Sequence, residues 1–355
     1  MALPCVTASL PGTGGLLRAQ PEDFVVEELP AYLPSGSGEH VYLWVEKRGL
    51  TTLDAARLLA QHAGLRDCDV GVAGLKDKRA VTRQWFSLAL KDDARFVGFS
   101  APGLTVLSVA RHGNKLKTGH LRGNRFRLAL RAVHPDGAQR ARAILAALGQ
   151  LGVPNGYGPQ RFGRDGATAR LGMALLQDQP HPDRVRAQRD RALRRLALSA
   201  FQSELFNALL TRRLRDESWN RALPGDVLQK VTGAAFVCEE PATDQPRLDA
   251  FELSVAGPMF GPKMLASRGA ARAHELAVLQ DAGIDEGLFD AGGELTLGAR
   301  RPLRVLPTEV EVQGDAERLE VRFCLPRGSY ASVVMAEVMK REVALEGDDG
   351  GGDER

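Results

Sequence analysis

Strict alternation of apolar and charged residues near both ends of the chain restricts its fold more than any other feature. In RFRLALR (125–131), three apolar residues alternate with arginines. RLEVRFCLP (318–326) repeats the alternation near the C-terminus, and HVYLWVEK (40–47) shows it earlier in the chain. A period of two indicates strands with one buried face and one solvated face, which is typical of antiparallel sheets.

Helical patterns lie between and beside these strands. LTTLDAARLLAQHAGL (50–65) predicts a helix with Thr51 or Thr52 as N-cap and Gly64 as its stop. Residues 138–151 predict an Ala/Leu-rich helix, and residues 183–215 predict consecutive helices with frequent arginines. VPNGYGPQRFGRDG (153–166) is dense in glycine and proline and indicates a loop or hinge.

This order of elements predicts an α+β protein with a discontinuous sheet domain. We expect residues 1–153 and 303–345 to form a mixed, mainly antiparallel sheet domain. Residues 154–302 would then form an inserted domain of helices and strands. The last ten residues, EGDDGGGDER, carry five acids and one base, and this composition is typical of a disordered tail (346–355).

The distribution of charge along the chain is more informative than the net charge of +3. Residues 111–131 contain seven Lys/Arg and no acid, so this segment is a candidate for contact with a phosphate backbone. A solvated basic face explains the same pattern. In that case, the arginine-rich helices at 184–195 are the alternative candidate for contact with a phosphate backbone.

Several classes of protein and site do not fit the sequence. No apolar run is long enough to cross a bilayer, and we expect no membrane association. Four scattered cysteines and seven histidines show no metal-ligand spacing, so we expect no metal, no disulfide and a cytoplasmic location. Gly-rich nucleotide motifs are missing, which is consistent with a protein that needs no cofactor. A monomer without an obligate protein partner is the default expectation.

Four segments contain candidate functional residues. In AGLKDKRAVTRQWF (73–86), Asp77 lies between Lys76 and Lys78, where cations favour an ionised carboxylate, although a charged surface turn has the same composition. In GHLRGNRF (119–126), Asn124 offers the donor and acceptor needed to read a uracil edge, or forms an ordinary Gly-Asn turn. Phe24 of LLRAQPEDFVVEE (16–28) begins a strand, where aromatics are usually core. Tyr330 of FCLPRGSYASVVMAEVM (323–339) lies at a helix entry.

These four segments, in this order, resemble the TruD family of tRNA pseudouridine synthases. The resemblance runs from about residue 12 to residue 341 and includes SAFQSELFN (199–207) and GPMFGPKM (257–264), which are similar to the family's inserted TRUD domain. It implies a pseudouridine synthase catalytic fold and isomerisation of uridine at position 13 of tRNA, without a cofactor.

The resemblance also implies roles for individual residues. Asp77 would be the catalytic nucleophile, and Phe24, Asn124 and Tyr330 would contact the target uridine. The family's basic residue beside the site falls on Arg18. We add Phe126 and Lys76 to the predicted substrate-binding residues because they lie in the same motifs.

Three positions depart from the family pattern. Arg18 stands where lysine is common, Tyr330 where phenylalanine is usual, and Gly156 replaces the first of two adjacent aromatics.

Two other classes of function are alternatives to this interpretation. A non-catalytic tRNA-binding protein or RNA chaperone would share the basic surface and the aromatics but would not need Asp77. A metal-dependent nuclease would need clustered acidic or histidine ligands, which the sequence lacks. Arg247-Leu248-Asp249 mimics a motif of other pseudouridine synthases, but it lies inside the insertion and we interpret it as chance.

Overall fold

The structure is a computed structural model that describes residues 3–341 and 343. The predicted tail at 346–355 lies outside the described residues. Within the described part, the strands are β1 (Leu16–Leu17), β2 (Phe24–Pro30), β3 (His40–Arg48), β4 (Gly71–Val72), β5 (Val81–Ala89), β6 (Ser100–Ala101), β7 (Leu104–His112), β8 (Leu121–Arg131), β9 (Val153–Pro154), β10 (Val227–Lys230), β11 (Ala235–Val237), β12 (Leu253–Met259), β13 (Ala299–Pro302), β14 (Arg304–Val305), β15 (Thr308–Gly314) and β16 (Arg318–Pro326).

The α-helices lie mainly in the middle of the chain. They are α1 (Thr52–Ala63), α2 (Gly137–Leu151), α3 (Ala167–Leu176), α4 (Arg184–Arg189), α5 (Arg191–Arg215), α6 (Pro241–Asp249), α7 (Gly269–Asp281) and α8 (Ala331–Met339). The predicted helices at 50–65, 138–151 and 183–215 are thus confirmed, the last as two helices.

Two compact units divide the chain. The sheet unit comprises Pro11–Leu145 and Pro307–Gly328. The helical unit comprises Ala146–Leu306 with the described parts of 1–10 and 329–355. The domain boundaries expected from the sequence stay a prediction, because compactness alone does not define a domain.

The sheet unit is built on a ten-stranded sheet in the order β15-β16-β8-β2-β5-β3-β7-β6, with β1 on β8 and β4 on β5. Only the β2–β5 pair is parallel among the described strands, so the sheet is mixed and mainly antiparallel, as predicted. The chain enters β2 and β5 from the same end of the sheet, which brings the segments before these two strands close together.

Helix α1 covers the apolar face of β3. Thr51 is the N-cap, and its hydroxyl accepts from the Asp54 N–H at 3.0 Å while the Asp54 carboxylate accepts from the Thr51 N–H. The helix ends at Gly64 in the left-handed conformation, as the sequence predicts. Val41 and Leu43 of β3 are fully buried in the core beneath it.

The helical unit contains a four-stranded antiparallel sheet in the order β11-β10-β12-β13 and a short β9–β14 ladder. Helix α5 carries its main core, in which Phe201 and Leu205 pack with Phe260 and Phe289. Together the two units confirm the α+β class. No helix among the described residues is long and apolar enough to cross a membrane.

Candidate active site

The Asp77 carboxylate lies in the loop between β4 and β5, beside a buried arginine. Its Oδ2 is 2.7 Å from an Nη atom of Arg18. The Asp77 side chain is 40% exposed, whereas that of Arg18 is 13% exposed. Burial lowers the pKa of Arg18, and the charge of Asp77 opposes this effect. The carboxylate is therefore oriented by a fixed cation on one side and remains open on the other.

A buried lysine anchors the backbone of this loop. The Lys47 ammonium donates to the carbonyl oxygens of Leu50 at 2.8 Å, Lys76 at 3.2 Å and Asp77 at 2.9 Å. An ammonium has three protons, and all three are used. The side chain is about 1% exposed, and burial lowers the pKa of Lys47 from 10.5 to about 8, against the opposing charge of Asp77. Lys47 therefore fixes the backbone at Asp77 rather than its carboxylate.

Lys76 is committed to a buried ion pair. Its Nζ lies 2.9 Å from Glu28 Oε2 on β2, and both side chains are almost completely buried. Burial raises the pKa of Glu28, although Lys76 and the Trp85 N–H oppose that effect. The Lys76 N–H also donates to the Thr52 hydroxyl at 2.8 Å. Both the side chain and the backbone of Lys76 thus tie the loop to neighbouring elements.

Phe24 and Phe126 form an apolar wall beside Arg18. Their ring centroids are 6.4 Å apart in an edge-to-face arrangement, and Phe126 also contacts Phe323 on β16. The Arg18 guanidinium carbon lies 3.7 Å from the centroid of the Phe24 ring. Phe24 is only 3% exposed, so its core role is evident in this structure. Its predicted contact with uridine stays a prediction.

Asn124 presents an unused polar atom. Its side-chain oxygen is buried and has no hydrogen-bond partner in the described structure. Asn124 lies on β8 opposite Glu28 on one side and Leu325 on the other. A Cβ at the preceding Gly123 would lie 2.2 Å from the Leu325 carbonyl oxygen, so only glycine fits there. Because buried polar atoms are rarely left unpaired, this amide is suited to bind a ligand.

Tyr330 belongs to the helical unit, unlike the other predicted site residues. It is the N-cap residue of α8, and its ring centroid is 5.7 Å from that of Tyr157. The Arg301 guanidinium stacks on Tyr157 and donates to the Asn155 side-chain oxygen at 2.7 Å. The Ser329 hydroxyl donates to the same oxygen. The uridine contact that the resemblance implies for Tyr330 stays a prediction.

Intramolecular ion pairs occupy the arginine face of β8, contrary to the idea that it offers free cations to RNA. Arg125 pairs with Glu27 at 3.1 Å and with Glu309 at 2.9 Å, and Arg131 pairs with Asp23 at 2.9 Å. The remaining arginine of RFRLALR, at position 127, lies 3.8 Å from Glu320. The alternation predicted the strand correctly, but the acids that neutralise this face come from other strands and from the turn before β2.

The sheet unit thus brings six predicted residues into one connected group, namely Arg18, Phe24, Lys76, Asp77, Asn124 and Phe126. Sequence reasoning missed Lys47 and Glu28. Lys47 continues the buried positions 41, 43 and 45 of β3, and a lysine on that face was the available signal. Among the described residues, no group of three side chains is arranged to hold a metal.

Comparison with known proteins assigns the fold and the family. The family model for tRNA pseudouridine synthase D (TruD) matches residues 2–182 and 184–338. The tRNA pseudouridine synthase D of Anaeromyxobacter dehalogenans (strain 2CP-C) is 51% identical over 98% of this chain and 99% of that protein. The protein of the same name from Thermus thermophilus is 42% identical over 96% of this chain and 92% of that protein.

A solved structure has the same fold. It is the crystal structure of the putative tRNA pseudouridine synthase D from Methanosarcina mazei, which is 23% identical to this chain. The TM-score is 0.76, over 96% of this chain and 97% of that one.

Proposed function

The chain belongs to the TruD family of tRNA pseudouridine synthases, and we propose that it isomerises uridine to pseudouridine in tRNA. The reaction breaks the N1–C1′ bond, joins C5 to C1′, removes a proton from C5 and places one on N1. Atoms and electrons balance without a redox partner or ATP. We propose position 13 of tRNA as the target, as the family resemblance implies.

One observation carries this proposal, the open carboxylate of Asp77 in a loop with fixed backbone. Arg18 orients one carboxylate oxygen, and Lys47 holds the Asp77 carbonyl. A nucleophile must be held close to its reactive geometry, and these contacts supply that order before substrate binds. We therefore propose Asp77 as the nucleophile. Attack at C1′, attack on the base and promotion of a glycal route all remain compatible with this placement.

The residues around Asp77 suit an extruded uridine. A base in a duplex or stack must leave it before an enzyme can reach C1′. The buried Asn124 oxygen without a partner is the acceptor that we assign to the uracil N3–H. Phe24 and Phe126 are 3% and 6% exposed and pack as core beside Arg18. Retaining the detached uracil requires an enclosed pocket, because the base must turn and rejoin the same sugar.

The test compares Asp77→Asn with a matched control, Asp93→Asn. Both carboxylates pair with one arginine, and they are 40% and 42% exposed. We expect Asp77→Asn to lose pseudouridine formation on the order of 10⁴-fold or more while tRNA binding persists. Asp93→Asn should retain the wild-type rate. Pseudouridine mapping in incubated tRNA measures both the rate and the position.

Two results would overturn the proposal. Turnover by a folded Asp77→Asn protein at a rate close to wild type would remove Asp77 as the nucleophile. Wild-type protein that binds tRNA but forms no pseudouridine would favour the second candidate, a non-catalytic tRNA-binding protein or RNA chaperone.

A further inference from the structure

The helical unit carries a cluster of cations that the proposed reaction does not use. Residues 186–195, which span the end of α4 and the start of α5, contain five arginines and one acid. That acid, Asp190, is the N-cap of α5, and its Oδ1 accepts from the N–H groups of Ala192 and Leu193. Its carboxylate caps the helix, and in the described part of the chain it forms no ion pair with these arginines.

Three of these arginines line a cavity of about 460 Å³, which we call the arginine pocket. The lining side chains include one opposing charge, Glu294. The lining also includes Gly293, where an added Cβ would meet no atom within 4 Å. The residues that define the pocket here are Arg189, Arg191, Arg194, Gly292, Gly293 and Glu294.

The pocket arginines have few internal partners. The side chains of Arg189 and Arg194 form no hydrogen bond or ion pair with any residue that the structure describes, and Arg194 Nε is buried without an acceptor. Arg191 lies 3.7 Å from Glu294, but the two side chains are 78% and 87% exposed. Such exposed pairs are weak and are easily replaced by a stronger anion.

This arrangement contrasts with the arginines of β8. Arg125 and Arg131 each have a carboxylate within 3.1 Å, so a phosphate would have to displace an existing ion pair. At the arginine pocket, no such displacement is needed at Arg189 or Arg194. A planar guanidinium donates two parallel hydrogen bonds to phosphate oxygens, which makes arginine well suited to phosphate recognition.

We propose that the arginine pocket binds a backbone phosphate of the RNA substrate. The identity of the RNA rests on the proposed function, but the phosphate chemistry follows from the pocket itself. Arg189 and Arg194 supply the donors, and Glu294 limits the net positive charge. The site contributes to the affinity for RNA and takes no part in the reaction, so its loss weakens binding without slowing catalysis at saturating tRNA.

The experiment compares two double variants of equal charge. Arg189→Gln with Arg194→Gln removes the two unpartnered cations. Arg212→Gln with Arg247→Gln removes two cations of the same unit that already pair with carboxylates. The affinity for unmodified tRNA is measured by fluorescence anisotropy over a range of salt concentrations. Thermal unfolding of each variant shows that the protein is folded.

We expect the slope of log affinity against log salt to be shallower for the pocket variant than for wild type by about 0.7 to 0.9, because the pocket binds one phosphate. Each neutralised phosphate contributes roughly 0.7 to 0.9 to this slope. The control variant should retain the wild-type slope, and kcat should be unchanged in both. Glu294→Gln should raise tRNA affinity, because it removes the opposing charge without removing a donor.

A pocket variant with the wild-type slope, or Glu294→Gln with unchanged affinity, would overturn the proposal. Inorganic phosphate at constant ionic strength distinguishes the source of the anion. Suppose that inorganic phosphate raises the thermal stability of the protein, but the slope of log tRNA affinity against log salt is the same in the pocket variant as in wild type. The pocket then binds a free anion, and the proposal fails.

The proposal for the arginine pocket and the proposed function can be refuted independently of each other. A shallower slope in a protein that forms no pseudouridine would support the pocket and refute the proposed function. Full activity together with an unchanged slope in the pocket variant would support the proposed function and refute phosphate binding at the pocket. Wild-type protein that does not bind tRNA would refute both.

Discussion

Lys47→Met tests whether a buried ammonium keeps the catalytic loop in order. In the wild type, three carbonyl oxygens, of Leu50, Lys76 and Asp77, share the protons of Lys47. Methionine retains an unbranched apolar chain of similar length but offers no donor. We expect single-turnover pseudouridine formation to fall by about tenfold to a hundredfold, since a charged hydrogen bond to the Asp77 backbone contributes about 1.5–3 kcal/mol.

The lowered pKa of Lys47 sets the direction in which the stability of the protein changes with pH. Burial lowers that pKa from 10.5 in the unfolded chain to about 8 in the folded protein. The unfolded chain therefore binds the proton more tightly, and the difference corresponds to about 3 kcal/mol of stability. That stability is fully present above the unfolded pKa and is lost as the pH falls through the folded pKa.

Stability and activity should consequently change in opposite directions with pH. Between about pH 8 and about pH 10, the free energy of unfolding of wild type should rise by about 2 kcal/mol relative to Lys47→Met. Over the same range the wild-type rate should fall relative to the variant, because the neutral amine has only two protons for three carbonyls. Titration of the substrate affects both proteins equally and cancels in the ratio.

Chemical unfolding and single-turnover rates, each measured across this pH range, check the prediction. Lys91→Met, at an exposed lysine, is the control and should follow wild type in both measurements. If wild type and Lys47→Met have parallel pH profiles of stability and rate, the ammonium does not hold the loop, and the reasoning is refuted.

Three further changes test the contacts around the carboxylate. Gly123→Ala should lower the unfolding free energy by about 1–3 kcal/mol in denaturant titration, because its Cβ would lie 2.2 Å from the Leu325 carbonyl oxygen; wild-type stability would contradict this. Lys76→Met should cost about 3–5 kcal/mol in the same assay, since it leaves Glu28 buried and unpaired; a loss below 1 kcal/mol would show that the pair is dispensable. Asn124→Ala should lower the single-turnover rate more than tRNA affinity, and equal losses would argue against base recognition by its amide.

The elements of this fold follow largely from the sequence. Alternation predicted β3, β8 and β16, because side chains of a strand point to opposite faces regardless of what covers them. Threonine and glycine marked the ends of α1, since capping depends on neighbouring backbone groups. The candidate residues of the sheet unit came from long motifs and their order. These signals are local, so they survive without knowledge of the packing.

The partners of the charged side chains were decided by the tertiary structure. Lys47 and Asp77 are 30 positions apart in sequence, and Arg125 and Glu309 are 184 apart. The sequence shows that β8 has an arginine face, but it does not show that strands from both ends of the chain bring acids to that face. The sequence also shows the arginine-rich helices at 184–195, but it does not show which of their guanidinium groups form ion pairs with acids. An ion pair depends on distance in space, and strand order and register set that distance only after the whole sheet has formed.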